Sequence, residues 1–316
     1  MDEKIKLSLL SHTDSNLVLN EELIQDLWSQ YGKLIRVKLD NGSLIVKQIN
    51  FPNQKDHPKG WNSDLSHERK VKSYQVEMNW YKEYNHIIQG AHSPKYISSQ
   101  TCNNTIYLIL EDLKEKGFEP KVTLNWKQIK LCIKWMALFH AKYLGISPKG
   151  LWTVGTYWHL DTRPDELLAL KNSDLKKAAP LINQKLNASQ FQTIVHGDAK
   201  LANFLFNASE VSAVDFQYVG GGVGVKDLAY FLSSIYNESE LQNSEQLCVD
   251  YYFNKLIGSI KVHHPQVNSS LLEKEWRDLY KYACCDFYRF LEGWSPGHHK
   301  LNSYSQKVIK KVLQCI

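Results

Sequence analysis

The stretch VHGDAKLANFLF, residues 195–206, places an ionisable His-Gly-Asp group and a single asparagine between two apolar runs. A lead-in of strand character precedes His196, and Phe-Leu-Phe follows Asn203. A plain loop needs no particular polar residues, whereas a functional site needs partners at defined positions elsewhere in the chain. Asp215 is such a partner, because it follows twelve residues after Asn203, at the end of the second strand of a predicted hairpin.

Asp198, Asn203 and Asp215 together have the chemistry that phosphoryl transfer requires. Mg²⁺ prefers oxygen ligands and keeps several waters, so one amide oxygen and one carboxylate suffice when phosphates complete the coordination shell. A second carboxylate that is not a ligand can accept the proton of an attacking hydroxyl. Because positioning and charge neutralisation dominate phosphoryl transfer, these three residues are the minimal set for it.

A lysine on an apolar strand face supplies the cation that nucleotide phosphates need. In the strand SLIVKQI, residues 43–49, Lys47 shares a face with two isoleucines. An inward lysine is costly unless it is paired. Glu77 lies on the apolar face of the helix predicted for about 68–89. The sequence therefore predicts an ion pair between Lys47 and Glu77 that holds the lysine against the phosphates.

The rest of the chain predicts an α+β fold with two lobes of different composition. Residues 1–113 are expected to form a small N-lobe with an antiparallel sheet, a hairpin turn at Asn41-Gly42 and one long helix. Residues 114–316 are expected to form a larger, mainly helical C-lobe, whose first helix is capped by Asn125 and Gln128. Further helical patterns lie near 226–236, 240–257, 268–293 and 303–314.

The composition is that of a globular protein without a dominant charge. The 316 residues are 43% hydrophobic and 22% charged, with a formal net charge of +5. The basic residues are dispersed, which argues against a nucleic-acid partner, and no segment approaches the roughly 18 apolar residues that span a bilayer. The six cysteines contain no C-x-x-C pair, which predicts a reduced, cytoplasmic location.

Several motifs resemble those of one superfamily. HGD-x4-N followed by DFQ, with a strand lysine and the helical motif E-x-x-W-Y at 77–81, resembles the aminoglycoside phosphotransferase and choline kinase superfamily of protein-kinase-like folds. Within it the sequence is most similar to ecdysteroid-kinase-like proteins, over roughly residues 30 to 300. The segments that also carry this likeness are 57–81, 137–145, 151–167 and 289–300.

The resemblance implies a two-lobe protein-kinase-like fold and an ATP- and Mg²⁺-dependent phosphotransferase that acts on a hydroxyl of a small molecule. It implies that Asp198 is the catalytic base and that Asn203 and Asp215 bind Mg²⁺. It also implies that Lys47 and Glu77 order the phosphates of ATP.

Two further parts of the nucleotide site are implied in the N-lobe. The strand that leads into Glu111 and Leu113 corresponds to the hinge, whose backbone contacts adenine. The Gly-rich loop expected between the first two strands is reduced to WSQYGKL, residues 28–34, where Gly32 stands alone. We expect backbone amides near Gly32 to cover the phosphates.

The remaining candidates have supporting roles. His196 and Asp227 are expected to brace the loop that holds Asp198 rather than to react. The run GGGVG at 220–224 lacks the Lys-Ser/Thr of a Walker loop and is interpreted as flexible backbone after the metal site. Three aromatic residues of a Gly-containing stretch are candidates for contact with the acceptor: Trp152, Tyr157 and Trp158.

Two other function classes stay open. A protein kinase is disfavoured, because only eleven residues separate Asp215 from Asp227 and no Ala-Pro-Glu follows. A non-catalytic nucleotide or metabolite sensor is favoured by the reduced glycine loop and opposed by the complete Asp-Asn-Asp set. The sequence leaves the acceptor open among choline-like amino alcohols, sterol-like alcohols and aminoglycosides, and it does not indicate the oligomeric state.

Overall fold

A computed structural model describes residues 3–27, 31–50, 64–85, 90–102 and 105–316. The chain divides into two compact units, each made of separate segments. The first comprises Met1–His86, Ser93–Glu119 and Phe206–Ser209, and the second comprises Ile87–His92, Pro120–Leu205 and Glu210–Ile316. The predicted boundary between two lobes at residue 113 stays a prediction. The predicted α+β fold class is confirmed.

The first unit contains a five-stranded antiparallel sheet in the order β1-β2-β3-β5-β4, with the bounds β1 (Val18–Asp26), β2 (Gly32–Leu39), β3 (Gly42–Asn50), β4 (Tyr96–Cys102) and β5 (Thr105–Glu111). Leu39 pairs with Gly42, so the predicted hairpin at Asn41-Gly42 is confirmed. Strand β3 lies between β2 and β5 and has buried residues on both faces, because Val46 packs in a cluster with residues 3–11 and Ile49 packs in another with Tyr74. Lys47 is one of those buried residues.

Two helices belong to the first unit. Helix α1 (Glu3–Ser11), which the sequence did not predict, packs Ile5 and Leu9 into a core cluster with Val37 and Val46 of the sheet. Helix α2 (Asp64–Asn79) is followed by a π-helical turn at Trp80–Tyr84. The helix predicted near 68–89 is thus confirmed as far as the π-turn, and its expected last residues, 86–89, lie outside the described residues.

The second unit is mainly helical, with the bounds α3 (Trp126–Lys142), α4 (Pro164–Ala169), α5 (Ser173–Asn187), α6 (Val225–Ile235), α7 (Glu238–His263), α8 (Ser269–Trp294) and α9 (Ser303–Leu313). The predicted cap of α3 is confirmed, since the side chains of Asn125 and Gln128 each accept the other's backbone N–H at 3.0 Å. The four later helical patterns are confirmed as α6 to α9. Of the helices described, none is both long and apolar enough to span a membrane.

Short strands frame the polar residues of the second half: β6 (Glu119–Pro120), β7 (Thr193–Val195), β8 (Phe204–Phe206), β9 (Val211–Ala213) and β10 (Gly220–Gly222). Strands β8 and β9 are neighbours in one sheet, which confirms the predicted hairpin. Strand β7 leads directly into His196 and pairs antiparallel with β10.

The interpretation of residues 220–224 as flexible backbone is wrong. Gly220 belongs to strand β10 and its backbone φ is not positive. A Cβ atom on Gly220 would lie 2.2 Å from the carbonyl oxygen of Trp152 and 2.9 Å from the amide nitrogen of Gly155. Glycine is therefore needed here because two backbones approach closely, and the segment is tightly packed.

Candidate active site

The HGD loop (residues 196–200) follows strand β7 and is tied to helix α6 by one buried carboxylate. Asp227, in the first turn of α6, accepts the backbone N–H of His196 at 2.6 Å and of Gly197 at 2.9 Å. Its Oδ2 also lies 3.1 Å from Nε2 of His140 on α3. The predicted bracing residue therefore contacts the loop through backbone hydrogen bonds, and His140 is a partner that the sequence did not single out.

These contacts keep Asp227 ionised. Burial alone raises the pKa of this carboxyl, but the hydrogen bond to His140 and the backbone N–H of Gly197 outweigh it, so the pKa lies below its ordinary value. Nδ1 of His140 lies 2.8 Å from the hydroxyl of Tyr252, which orients the imidazole from its other side. Helices α3, α6 and α7 thus jointly fix the HGD loop.

His196 is a neutral, fully buried imidazole. Its Nδ1 accepts the backbone N–H of Asp198 at 3.2 Å, so the ring proton is on Nε2, which donates to the carbonyl oxygen of Val214 at 3.1 Å. Burial lowers the pKa of His196. Both ring nitrogens are used in backbone hydrogen bonds, and the ring centre lies 4.5 Å from that of Phe216. This position suits the bracing role rather than proton transfer.

Asp198 presents one bonded and one unbonded carboxylate oxygen. Oδ2 accepts hydrogen bonds from Nζ of Lys200 and Nδ2 of Asn203, both at 3.0 Å. Oδ1 is buried and has no partner within 3.5 Å among the described residues, although the hydroxyl of Tyr230 lies close enough for a weak hydrogen bond with the Asp198 carboxylate to raise the pKa of that phenol. Burial raises the pKa of Asp198, and the nearby charge of Asp215 adds to this rise while Lys200 opposes it.

Asn203 and Asp215 have the oxygen donors that a hard cation requires. The amide nitrogen of Asn203 donates to the backbone carbonyl oxygen and to Oδ2 of Asp198. These two hydrogen bonds fix the orientation of the amide, and its side-chain oxygen is the atom that can ligate a cation. Oδ1 of Asp215 accepts a hydrogen bond from Gln217 at 2.6 Å, and the backbone of Asp215 has a left-handed φ of 66°. No cluster of three His, Cys, Asp or Glu in the described ranges suits a metal. An amide oxygen and a carboxylate are ligand types that Mg²⁺ accepts when phosphates and water supply the rest of its shell.

The predicted ion pair between Lys47 and Glu77 is confirmed in the first unit. Nζ of Lys47 on β3 lies 2.7 Å from Oε2 of Glu77 on α2, and the side chains are only 7% and 2% exposed. The lysine ammonium also lies 5.6 Å from the centre of the Tyr74 ring. Burial of both charges is tolerated because each compensates the other.

Gly32 has a structural reason for being glycine. It begins β2 with a φ of +136°, and a Cβ atom there would lie 1.9 Å from the carbonyl oxygen of Gln48 on β3. This crowding explains the residue without reference to a ligand. The rest of the reduced glycine loop, residues 28–30, lies outside the described residues.

The predicted hinge residues lie at the end of β5. The backbone N–H of Glu111 donates to the carbonyl of Lys95 at 3.0 Å. Leu113 starts a short 3₁₀ helix, so its N–H has no acceptor within that helix. Asp112 fixes this turn, because its buried side chain accepts the N–H of Lys114 at 3.0 Å and bonds Arg36 of β2.

The three predicted acceptor contacts differ in position. Trp152 and Trp158 are buried, and their indole nitrogens donate to the carbonyl of Gln217 at 2.8 Å and to the carboxylate of Asp286 at 3.0 Å. Tyr157 is partly exposed, and its backbone N–H donates to Gly197 of the HGD loop at 3.2 Å. Of the three side chains, only that of Tyr157 is partly exposed, while the Trp158 ring packs against Tyr157 and the Trp152 ring stacks on Tyr218.

Comparison with known proteins shows both the fold and the family. The chain matches the ecdysteroid kinase-like family over residues 40–145 and 156–264. An amicoumacin kinase solved with AMP-PNP and Ca²⁺ is 13% identical, with a TM-score of 0.54 and coverage of 99% of this chain and 92% of that chain. No curated protein has a significant sequence match.

Two further solved structures have the same fold at low identity. A microcompartment-associated aminopropanol kinase is 14% identical, with a TM-score of 0.51 and coverage of 99% and 95% of the two chains. A spectinomycin phosphotransferase in complex with ADP and spectinomycin is 12% identical, with a TM-score of 0.51 and coverage of 98% and 94%. Since the family match spans more than half of the chain, this protein belongs to the ecdysteroid kinase-like family and is a small-molecule kinase of protein-kinase-like fold.

Proposed function

We propose that the protein transfers the γ-phosphoryl group of ATP, with Mg²⁺ as cofactor, to a hydroxyl of a small-molecule acceptor in the cytoplasm. The observation that carries this proposal is the buried Oδ1 of Asp198, which has no partner within 3.5 Å in the part of the chain that the structure describes. A buried carboxylate oxygen without a donor is costly. The hydroxyl of an acceptor would supply the missing donor.

Asp198 is oriented for this task by its own neighbours. Because Oδ2 is held by Lys200 and Asn203, only Oδ1 is left to bind an acceptor hydroxyl. The raised pKa of Asp198 makes the carboxylate a stronger base than an exposed aspartate. In the reaction the alcohol oxygen bonds to the γ-phosphorus, the bond to the β–γ bridging oxygen breaks, and the hydroxyl proton passes to Asp198. ADP leaves with the electron pair of the broken bond.

The other charged residues have positioning roles in this proposal. Lys47, held by Glu77, would contact the nucleotide phosphates, and the backbone at Glu111 and Leu113 would contact adenine. Asn203 and Asp215 would bind Mg²⁺, which neutralises charge on the phosphates when bound.

A nucleotide-binding experiment tests the proposal before any acceptor is known. Thermal unfolding is measured with ATP, with Mg²⁺, and with both, on the wild type and on Asp215→Ala. We expect the pair together to raise the unfolding midpoint by mass action and the variant to lose this response. Asp278→Ala removes an exposed carboxylate of α8 and is the matched control. A normal response in Asp215→Ala would contradict the metal assignment.

Turnover of labelled ATP with a panel of alcohols separates the kinase from the sensor. We expect Asp198→Asn to keep nucleotide binding and to lose about 10²- to 10⁴-fold in turnover, the usual contribution of a general base. Unchanged turnover in this variant would remove Asp198 from the role. ATP binding without transfer to any alcohol would favour the non-catalytic sensor.

A further inference from the structure

A group of aromatic side chains lies beside Asp198 in the second unit. We call it the aromatic cluster: Tyr157, Tyr218, Tyr230, Phe287 and Phe290. The centre of the Tyr157 ring lies 5.9 Å from Tyr218, 5.5 Å from Tyr230 and 5.4 Å from Phe290, and Tyr230 lies 4.9 Å from Phe287. Burial, and after it the charge of Asp198, raises the pKa of both Tyr157 and Tyr230. The cluster is thus close enough to contact an acceptor whose hydroxyl bonds Asp198.

The protein's own cations already lie against the rings of this cluster. The guanidinium carbon of Arg163 is 5.3 Å from the ring centre of Phe290 and 5.9 Å from that of Tyr157. Nζ of Lys300 is 5.6 Å from the Phe287 ring centre and 5.7 Å from the Tyr230 ring centre. These distances are within the cation–π range of about 6 Å. An ammonium group on an acceptor would compete with these cations and be repelled by them.

The two cations differ in how their charge is compensated. Arg163 is paired, since its Nη1 lies 3.1 Å from the carboxylate of Glu166 and its Nε donates to the Tyr157 carbonyl at 2.7 Å. Lys300 is half-buried, and no carboxylate of the described residues forms a salt bridge with it. Burial, followed by the charge of Lys200, lowers the pKa of Lys300 to about 8.

One of the cations that contact the aromatic cluster, Lys300, therefore lacks a counter-ion among the residues that the structure describes. Lys200 is paired with Asp198 at 3.0 Å, and Arg163 is paired with Glu166. The positive charge of Lys200 lowers the pKa of Lys300, and within the described ranges no acidic side chain offsets this effect. A partly desolvated ammonium without a counter-ion is unfavourable, and a negative group on a ligand would compensate it.

On the premise of the proposed function, we propose that the acceptor is an alcohol that carries an anionic group and that Lys300 binds this group. The aromatic cluster contacts the apolar part of the acceptor, and Oδ1 of Asp198 accepts the proton of the hydroxyl. Lys300 is then the residue that determines specificity. Among the acceptors left open by the sequence, this proposal excludes choline-like amino alcohols and aminoglycosides. Neutral sterol-like alcohols carry no anionic group that could bind Lys300.

Three alcohols of the same shape and different charge test the proposal: para-hydroxymethylbenzoate, para-hydroxymethylbenzamide and para-hydroxymethylbenzylamine. Their dissociation constants are measured by NMR titration of the full chain at neutral pH without nucleotide. We expect the benzoate to bind about tenfold more tightly than the amide, as one charge-assisted contact allows, and the amine to bind most weakly. Equal binding of the three, tightest binding of the amine, or no binding of the benzoate at millimolar concentration would overturn the proposal.

Variants assign the preference to Lys300. In Lys300→Gln the benzoate and the amide should bind within about twofold of each other, while Lys300→Arg should keep the preference. Lys310→Gln, on the exposed face of α9, is the matched control and should behave as the wild type. Lys300→Gln removes both a charge without a counter-ion and its cation–π contacts with Tyr230 and Phe287, and because these effects have opposite signs the thermal midpoint should change little. Retention of the full preference in this variant would overturn the assignment.

The response of Lys300→Gln to ATP and Mg²⁺ separates this inference from the proposed function. We expect the nucleotide-induced rise in the unfolding midpoint to be unchanged in the variant. Loss of that rise with a retained benzoate preference would place Lys300 at the nucleotide and overturn the inference, while the proposed function stands. A wild-type protein that prefers the benzoate and does not respond to ATP with Mg²⁺ would support the anion site and contradict the proposed function.

Discussion

Asp227→Asn tests how the HGD loop is held. The carboxylate of Asp227 accepts hydrogen bonds from three donors: the backbone N–H of His196, the backbone N–H of Gly197 and Nε2 of His140. Asparagine has nearly the same shape, but only its carbonyl oxygen accepts hydrogen bonds. One of the two positions that now hold carboxylate oxygens must therefore hold an amide NH₂ that faces buried donors.

The cost follows from which donors lose their acceptor. If the amide oxygen takes the place of Oδ2, it keeps His196 and His140, and only Gly197 loses its partner. In the opposite orientation two donors lose their partners. A buried donor without an acceptor costs about 1–3 kcal/mol, and the better orientation leaves one such donor, so we expect Asp227→Asn to lower the free energy of unfolding by about 1–3 kcal/mol.

Urea unfolding of the full chain measures this loss. The matched control is Asp250→Asn on α7, because Asp250 is 52% exposed and is paired with Arg277 at 2.7 Å. We expect the control to change stability by less than about 0.5 kcal/mol. Since the pKa of Asp227 is lowered in the folded state, its contribution is present above the unfolded pKa of about 4 and is lost as the pH falls below it. The difference in the free energy of unfolding between wild type and Asp227→Asn should therefore become smaller below about pH 4.

Hydrogen exchange adds a local readout. The backbone amides of His196 and Gly197 should exchange faster in Asp227→Asn than in wild type, while amides of helix α9 follow the change in global stability. A loss of stability no larger than that of Asp250→Asn, or unchanged protection of both loop amides, would refute the bracing role of Asp227.

Two further substitutions test the packing and charge arguments by the same urea assay. Gly220→Ala should lower the free energy of unfolding by about 3 kcal/mol, because the new Cβ would lie 2.2 Å from the Trp152 carbonyl oxygen. The control Gly258→Ala lies in α7, where nothing is within 4 Å of the new Cβ, and should raise stability by up to about 1 kcal/mol. Equal effects at the two sites would contradict the packing argument. Lys47→Met should cost about 3–5 kcal/mol because Glu77 is left buried without its cation, and Lys47→Met with Glu77→Gln should recover part of that loss. A double variant no more stable than the single one would show that the ion pair is not what holds these charges in the first unit.

The parts of the site that the sequence predicts are those decided by local periodicity. Lys47 lies on an apolar strand face and Glu77 on an apolar helix face. Because each buried charge needs a partner of opposite sign, the two positions together predict an ion pair. The cap of Asn125 and Gln128 is similarly local, since both residues lie within one helical turn. Helix α5 was not predicted, and Pro180 in its interior weakens the helical pattern.

The parts that were missed depend on which elements become neighbours. The tight packing of Gly220 exists only because the backbone of Trp152 lies alongside strand β10. The positions of Lys300 on the Tyr230 and Phe287 rings likewise join three separate stretches of chain. No spacing rule within a single segment predicts such contacts, so the aromatic cluster and its cations required the structure.

The interleaving of the two units along the chain has a consequence for how the protein is made. The first unit includes Phe206–Ser209, which are separated from Ser93–Glu119 by residues of the second unit. A ribosome therefore has to synthesise the chain as far as Ser209 before the first unit has all its parts. A fragment that ends at Glu119 lacks the last of these parts, so the properties of the first unit have to be studied in a chain that extends at least to Ser209.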